Sequence, residues 1–147
     1  MTQFQDVVIY NVENHIATIT LNDPKSLNAF STLMKSAIIS ALQEAEADAD
    51  VRVIILQGAG GNFSSGGDIK EMLSDGLERE ALSEKLKSMV EGAGEVSLLL
   101  RKIHKPIIAK LEGAVAGAGM NLALTCDFRI TADNAKFVQA FVHIGLV

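Results

Sequence analysis

The chain is poor in reactive and cross-linking groups. Its one cysteine, Cys126, cannot form an internal disulfide, which fits a reducing compartment and leads us to expect a cytoplasmic protein. The three histidines, His15, His104 and His143, show no metal-ligand spacing with that thiol, so no metal site is expected. Basic excess is missing too. The formal charge is −5 and the sequence pI about 5.1, which argues against a nucleic-acid or anionic-membrane surface. No apolar run reaches the roughly 18 residues of a membrane span, and the N-terminus lacks a basic segment followed by an apolar one. Asn62-Phe63-Ser64 is formally a glycosylation sequon, with no secretion signal to give it meaning. Neither an internal repeat nor a low-complexity segment is present.

Apolar character is what the chain does have. At 147 residues it reads as one domain (1–147), and 48% hydrophobic residues with mean hydropathy +0.26 is high for that size. The excess implies buried surface beyond one small core, in an oligomer or against further polypeptide. The apolar ending, Ile144-Gly145-Leu146-Val147, leads us to expect a longer natural chain.

Patterning gives an α/β order. Phe4–Tyr10 and His15–Leu21 read as a hairpin across Asn11–Asn14. The turn Asn22–Ser26 precedes a helix capped by Ser31 and running to about Ala47, with Leu33, Ala37, Ile38, Ala41, Leu42 and Ala45 on one face. Val51–Gln57 reads as a buried strand and Asp68–Leu73 as a helix start. Glu78–Ile103 has a long helical pattern through Leu82, Leu86 and Met89, which Gly92 and Gly94 are expected to break or bend. Strands are expected at Ile107–Leu111, Phe128–Thr131 and Lys136–Val138, with a helix at Met120–Thr125.

Two glycine-rich loops follow strands and precede helices: Gly58–Gly67 and Gly113–Gly119. Ligands collect at such places in α/β sheets, because free N–H groups and the helix dipole converge there. The first loop is neither a dinucleotide fingerprint, since Phe63 stands where a late glycine belongs, nor a Walker loop, since Gly67-Asp68 replaces Lys-Ser/Thr. A tight surface turn is the plain alternative. Two such loops can also converge their N–H groups on one oxygen, the geometry of an oxyanion hole suited to enolate chemistry.

Phe63-Ser-Ser-Gly-Gly-Asp-Ile-Lys-Glu-Met72 resembles the first oxyanion segment of the crotonase (enoyl-CoA hydratase/isomerase) superfamily. Lys105–Gly113 with Gly117–Asp127 resembles the second segment, and Leu21–Ala29 the early turn that contacts coenzyme A. The match covers the first half or so of a typical member. It implies a crotonase-like ββα spiral, an acyl-CoA thioester as substrate with no further cofactor, and a homo-oligomer, usually a trimer or hexamer. It implies that the N–H groups of Gly67 and Ala118 form the oxyanion hole. Lys25, Ser26, Leu27, Ser65, Asp68 and Ile69 would line the coenzyme A side. Asp68 reads equally as a helix cap, and Lys25 as a solvated turn residue.

The departures bear on the reaction. The two hydratase glutamates fall at Asn121 and Phe141, neither of which can act as acid or base. The ending Phe137–Val147 resembles members, among them isomerases of phenylacetate catabolism, with a single acid two positions beyond the equivalent of Val147. Double-bond isomerisation is therefore the expected reaction, with hydration or a non-catalytic acyl-CoA-binding module as alternatives. His143 reads as a packed or edge residue, and Cys126 as an inert core thiol.

Overall fold

The computed structural model describes residues 2–4, 6–68 and 79–140. The chain opens with three antiparallel strands, β1 (Thr2–Phe4), β2 (Val8–Glu13) and β3 (Ile16–Leu21). The expected hairpin is present with different limits. Asp6, at φ 59°, separates β1 from β2, so Phe4 and Tyr10 belong to different strands. The link is not Asn11–Asn14 but Asn14-His15 alone, at φ 51° and 66°, between paired Glu13 and Ile16. A two-residue turn with both φ values positive matches the twist of the strands it joins.

From β3 onward the chain climbs in repeated strand, strand-like bridge and helix. β4 (Val53–Gly58), β5 (Ile107–Leu111) and β7 (Phe128–Thr131) add in parallel, giving one six-stranded sheet in the order β1-β2-β3-β4-β5-β7. After each strand the chain crosses to a second, smaller layer. Phe30 bridges Gly67, Ser64 bridges Val115, and β6 (Ala114–Ala116) pairs with β8 (Lys136–Val138), all in parallel. Each crossing but the last leads to a helix: α1 (Thr32–Ala47), α2 (Arg79–Lys102) and α3 (Gly117–Thr125). This is a ββα spiral.

The core lies between the six-stranded sheet and the helices. Ala17, Ile19, Leu21, Ile54 and Leu56 meet Ala37, Ile38, Ala41 and Leu42, all at 0% exposure. Ser31 caps α1 as expected, its Oγ accepting the Met34 N–H at 3.1 Å. Leu33, expected on the buried face, is 48% exposed, and Met34 takes its place at 1%. Helix α2 runs on through Gly92 and Gly94 rather than breaking there. A Cβ at Gly92 would stand 2.8 Å from Nζ of Lys35 on α1, the movable end of a long side chain. The third helix begins at Gly117, three residues earlier than expected, because Ala114–Ala116 pair as β6 and leave only a short loop.

Lys105 closes the end of α1, its Nζ donating to the carbonyls of Ala45 and Asp48 at 2.6 Å each. Cys126 is buried, and that burial above all pushes its thiol up to about 12. Among the described residues no helix is long and apolar enough to cross a membrane. The expected helix start at Asp68–Leu73 lies largely outside the described residues. So do the side chains of Leu82, Leu86 and Met89, and so does His143.

Candidate functional site

The two glycine loops meet. Residues 64–67 form the middle ply of the second layer, flanked by 27–30 on one side and 114–116 on the other. Ser65 N–H donates to Leu27 C=O (2.9 Å) and Phe30 N–H to Gly66 C=O (2.7 Å). On the opposite edge Ser64 N–H donates to Ala114 C=O (2.9 Å) and Ala116 N–H to Ser64 C=O (3.0 Å). In the parallel bridge to Phe30, the ladder bond runs through Gly66 rather than the Gly67 amide. The Gly67 N–H, opposed to the Gly66 carbonyl across their shared peptide, therefore faces away from Phe30.

Contact between the loops depends on glycine at one point in particular. Gly66 has φ +93°, and a Cβ there would lie 2.7 Å from Ala116 O and 3.2 Å from Ala118 N. A left-handed residue without a side chain is what allows the two backbones to come this close. Gly67 is the next residue, so the structure brings its peptide and that of Ala118 to adjacent turns of the spiral.

Ala118 occupies the second position of α3, where a helix N–H has no carbonyl four residues back. In the first turn of the spiral, Ser31 fills the corresponding need of α1. At α3 the cap residue is Ala116, which offers no side-chain acceptor. The helix thus presents uncapped donors and the positive end of its dipole beside the Gly66-Gly67 peptide. Ala118 is 5% exposed, so these groups lie in a region of low dielectric.

The turn at 23–28 sits on the other edge of the same layer. A single 3-10 turn, Pro24–Ser26, passes into Leu27 and Asn28, both left-handed at φ 55° and 56°. Asn28 is fully buried. Its Oδ1 accepts the Asp23 N–H (2.9 Å), and its Nδ2 donates to the carbonyls of Ala59 (2.9 Å) and Asn62 (2.8 Å). One amide thus ties this turn to the first glycine loop. Ser26 Oγ donates to Asp23 Oδ2 (2.6 Å) and accepts from Ala29 N–H (3.1 Å), while Ser65 Oγ donates to Ser26 C=O (3.0 Å). Both hydroxyls therefore hold the turn together. Pro24, Lys25 and Leu27 are the exposed side chains there, and Asp68 is half-buried.

Asn121 lies one turn into α3 and is exposed. Its Oδ1 accepts from Gln139 Nε2 at 3.3 Å, and its carbonyl accepts the Thr125 hydroxyl at 2.8 Å. Ile69 and Phe141 fall outside the described residues. An open cleft of about 490 Å³ runs between Gly61, Asn62, Gly113 and the end of β8, and reaches the second loop at Ala116. Sequence reasoning did not single out Asn28 and Ser64. A polar residue inside an otherwise apolar or glycine-rich stretch was the available signal, but only burial distinguishes it from a solvated turn residue.

Known proteins share this arrangement. The family model for enoyl-CoA hydratase/isomerase matches residues 11–147. A trans-2-decenoyl-[acyl-carrier-protein] isomerase of Streptococcus mutans is 37% identical over 142 residues, covering 95% of this chain and 52% of that protein. The 1,2-epoxyphenylacetyl-CoA isomerase of Escherichia coli is 34% identical over 143 residues, covering 97% of this chain and 53% of that one. The crystal structure of an enoyl-CoA hydratase from Polaromonas sp. JS666 superposes with a TM-score of 0.85 at 34% identity, over 95% of this chain and 53% of the other. The chain spans about half the length of the curated relatives it matches. Family model, relatives and spiral agree, and the chain belongs to the enoyl-CoA hydratase/isomerase family of the crotonase superfamily.

Proposed function

We propose that this chain binds an acyl thioester, with coenzyme A as the carrier, and stabilises the thioester enolate between the N–H groups of Gly67 and Ala118. The observation that carries the reading is the uncapped start of α3 packed against the Gly66-Gly67 loop. When a base takes the proton from the α-carbon, the C–H electron pair enters the enolate and negative charge develops on the thioester oxygen. Two fixed donors in a dry site favour that charge without reorganising as it forms. Lys25 and Leu27 face the carrier from the turn, Lys25 as a point charge for phosphate, with Asp68 beyond them, and the family resemblance assigns Ile69 to the same carrier. Ser26 and Ser65 shape this wall through their hydroxyl bonds.

Double-bond isomerisation is the reaction that the residues favour. Hydration needs a carboxylate at both positions now held by Asn121 and Phe141, and an amide or phenyl ring cannot exchange a proton near neutral pH. Isomerisation needs only one group to move a proton between two carbons. The S. mutans and E. coli relatives are likewise named isomerases. A binding module without chemistry is the second reading, and the amide of Asn121 is the observation that favours it. The exposed apolar surface of Leu124, Phe128 and Ile130 supports a homo-oligomer, and the lone buried cysteine a reducing cytoplasm.

The test is to titrate the chain with octanoyl-CoA and follow exchange of its α-protons in D₂O by NMR, alongside conversion of a 3-enoyl-CoA to the 2-enoyl isomer. Binding with exchange and conversion supports the isomerase. Binding without exchange, both in this chain and in a version extended past Val147, selects the module, and absence of binding sinks both.

A further inference from the structure

We propose that Ser64 is a positioning residue that sets the spacing of the two oxyanion donors, an inference that rests on the oxyanion reading above. Asn28 and Ser64 are the polar side chains buried outright among the described residues, both at 0% exposure. Ser64 stands where the two glycine segments and the coenzyme A turn meet. Its Oγ donates to Asn28 C=O at 2.8 Å and accepts the Gly66 N–H at 3.2 Å. On its other side it touches α3, for a Cβ on Gly119 would lie 2.6 Å from Ser64 Cβ and 2.7 Å from its Oγ.

Each donor is thereby referenced to the same hydroxyl. Gly67 follows the peptide that Ser64 holds by a hydrogen bond, and Ala118 precedes the glycine that Ser64 packs against. The backbone of Ser64 completes the tie through its two bonds to Ala114 and Ala116. Serine suits the position for two reasons. Alanine would leave the Gly66 N–H and the Asn28 carbonyl without this partner, and threonine would push a methyl group into a space that Gly119 already leaves tight. Ser64 touches no reacting atom and acts only through the peptides it holds.

The probe is octanoyl-CoA labelled with ¹³C at the thioester carbonyl, whose infrared stretch falls when both donors engage the oxygen. On the native chain a clear downshift is expected. In Ser64→Ala the downshift should shrink by half or more while octanoyl-CoA affinity stays within about threefold, because the turn that faces the carrier keeps its other ties through Asn28 Nδ2 and Ser65 Oγ. The α-proton exchange rate should fall by about 10- to 100-fold, in keeping with the roughly 100-fold effect of a 1 Å misplacement. Ser64→Cys keeps the side-chain volume close with a weaker bonding group, and should fall between the two. A full downshift in Ser64→Ala overturns the positioning role and leaves the oxyanion reading intact. An absent downshift on the native chain overturns both. Parallel loss of affinity and downshift marks Ser64 as merely structural and overturns the proposal. If Ser64→Ala does not fold, Ser64→Cys is read by the same criteria; if neither folds, the positioning role falls.

Discussion

Removing the Ala118 N–H without changing any side chain isolates the donor on which the proposed chemistry depends. Placing lactic acid at position 118 replaces the Gly117–Ala118 amide with an ester. The lost N–H lies in the first turn of α3, so no intrahelical bond loses its donor. The Gly117 carbonyl becomes a weaker acceptor, at a cost of about 1 kcal/mol or less in stability. Ala118 is 5% exposed, so water cannot readily replace the missing donor. Loss of one such donor raises the barrier by about 3–4 kcal/mol, which slows α-proton exchange roughly 100- to 1,000-fold. The assay compares exchange into octanoyl-CoA in D₂O with the thermal midpoint of the same sample. A large loss of exchange with a nearly unchanged midpoint is expected. Exchange within threefold of the native chain would refute the assignment of Ala118.

Three further outcomes follow from the geometry. Asn28→Ala strands three backbone partners and puts a residue that disfavours the left-handed region in place of one that accepts it at φ 56°, and should destabilise the fold by on the order of 3 kcal/mol in urea titrations; Asn28→Gly should cost about 1 kcal/mol less because glycine tolerates that conformation. Burial holds the Cys126 thiol protonated up to about 12, so iodoacetamide at pH 8 should label it only after unfolding. Above its ordinary value of 9.0 the unfolded chain releases that proton and the folded chain does not, so stability should fall as pH rises toward 12, reinforced by Tyr10, raised by burial and then by Glu44 and Asp48. Finally, Phe128 and Ile130 on the edge strand β7 are 61% and 62% exposed; changing both to lysine should reduce light scattering and dye binding of the isolated chain with little change in its melting.

Regular elements were legible because burial imprints a period on them. Ile107–Leu111, Phe128–Thr131 and Lys136–Val138 have the same limits in sequence and structure, and Ser31 caps α1 as its residue type implies. Where a single residue decided the outcome, the pattern misled. Leu33 and Met34 fit the helical period almost equally, and packing chose the more flexible side chain. Gly92 reads as a break by intrinsic propensity, but α2 continues through it, with Val96 and Leu100 beyond it packed in the core. The second layer was the hardest to read. Phe30 and Ser64–Gly67 pair through one or two bonds each, too few to leave an alternation, and so the spiral repeats without a repeated sequence. Of the candidate site, the glycine loops were visible as loops. The hydroxyl and amide that lock them, Ser64 and Asn28, become apparent only once three distant segments are brought together.

That three-ply arrangement has a consequence for how the site responds to denaturation. Its segments, 27–30, 64–67 and 114–116, are far apart in sequence, and the bonds that join them run from one segment to the next. The Phe30 and Ala116 amides, which bond across the plies, should therefore exchange with solvent only through openings that also separate the parallel sheet, with protection close to that of the core strands. A thioester gripped there would bind the folded state alone. Its binding free energy would then appear in full as resistance to global unfolding, growing with the logarithm of ligand concentration. In such a molecule the ligand acts as a clasp on the whole spiral, and a melting curve becomes a direct reading of occupancy.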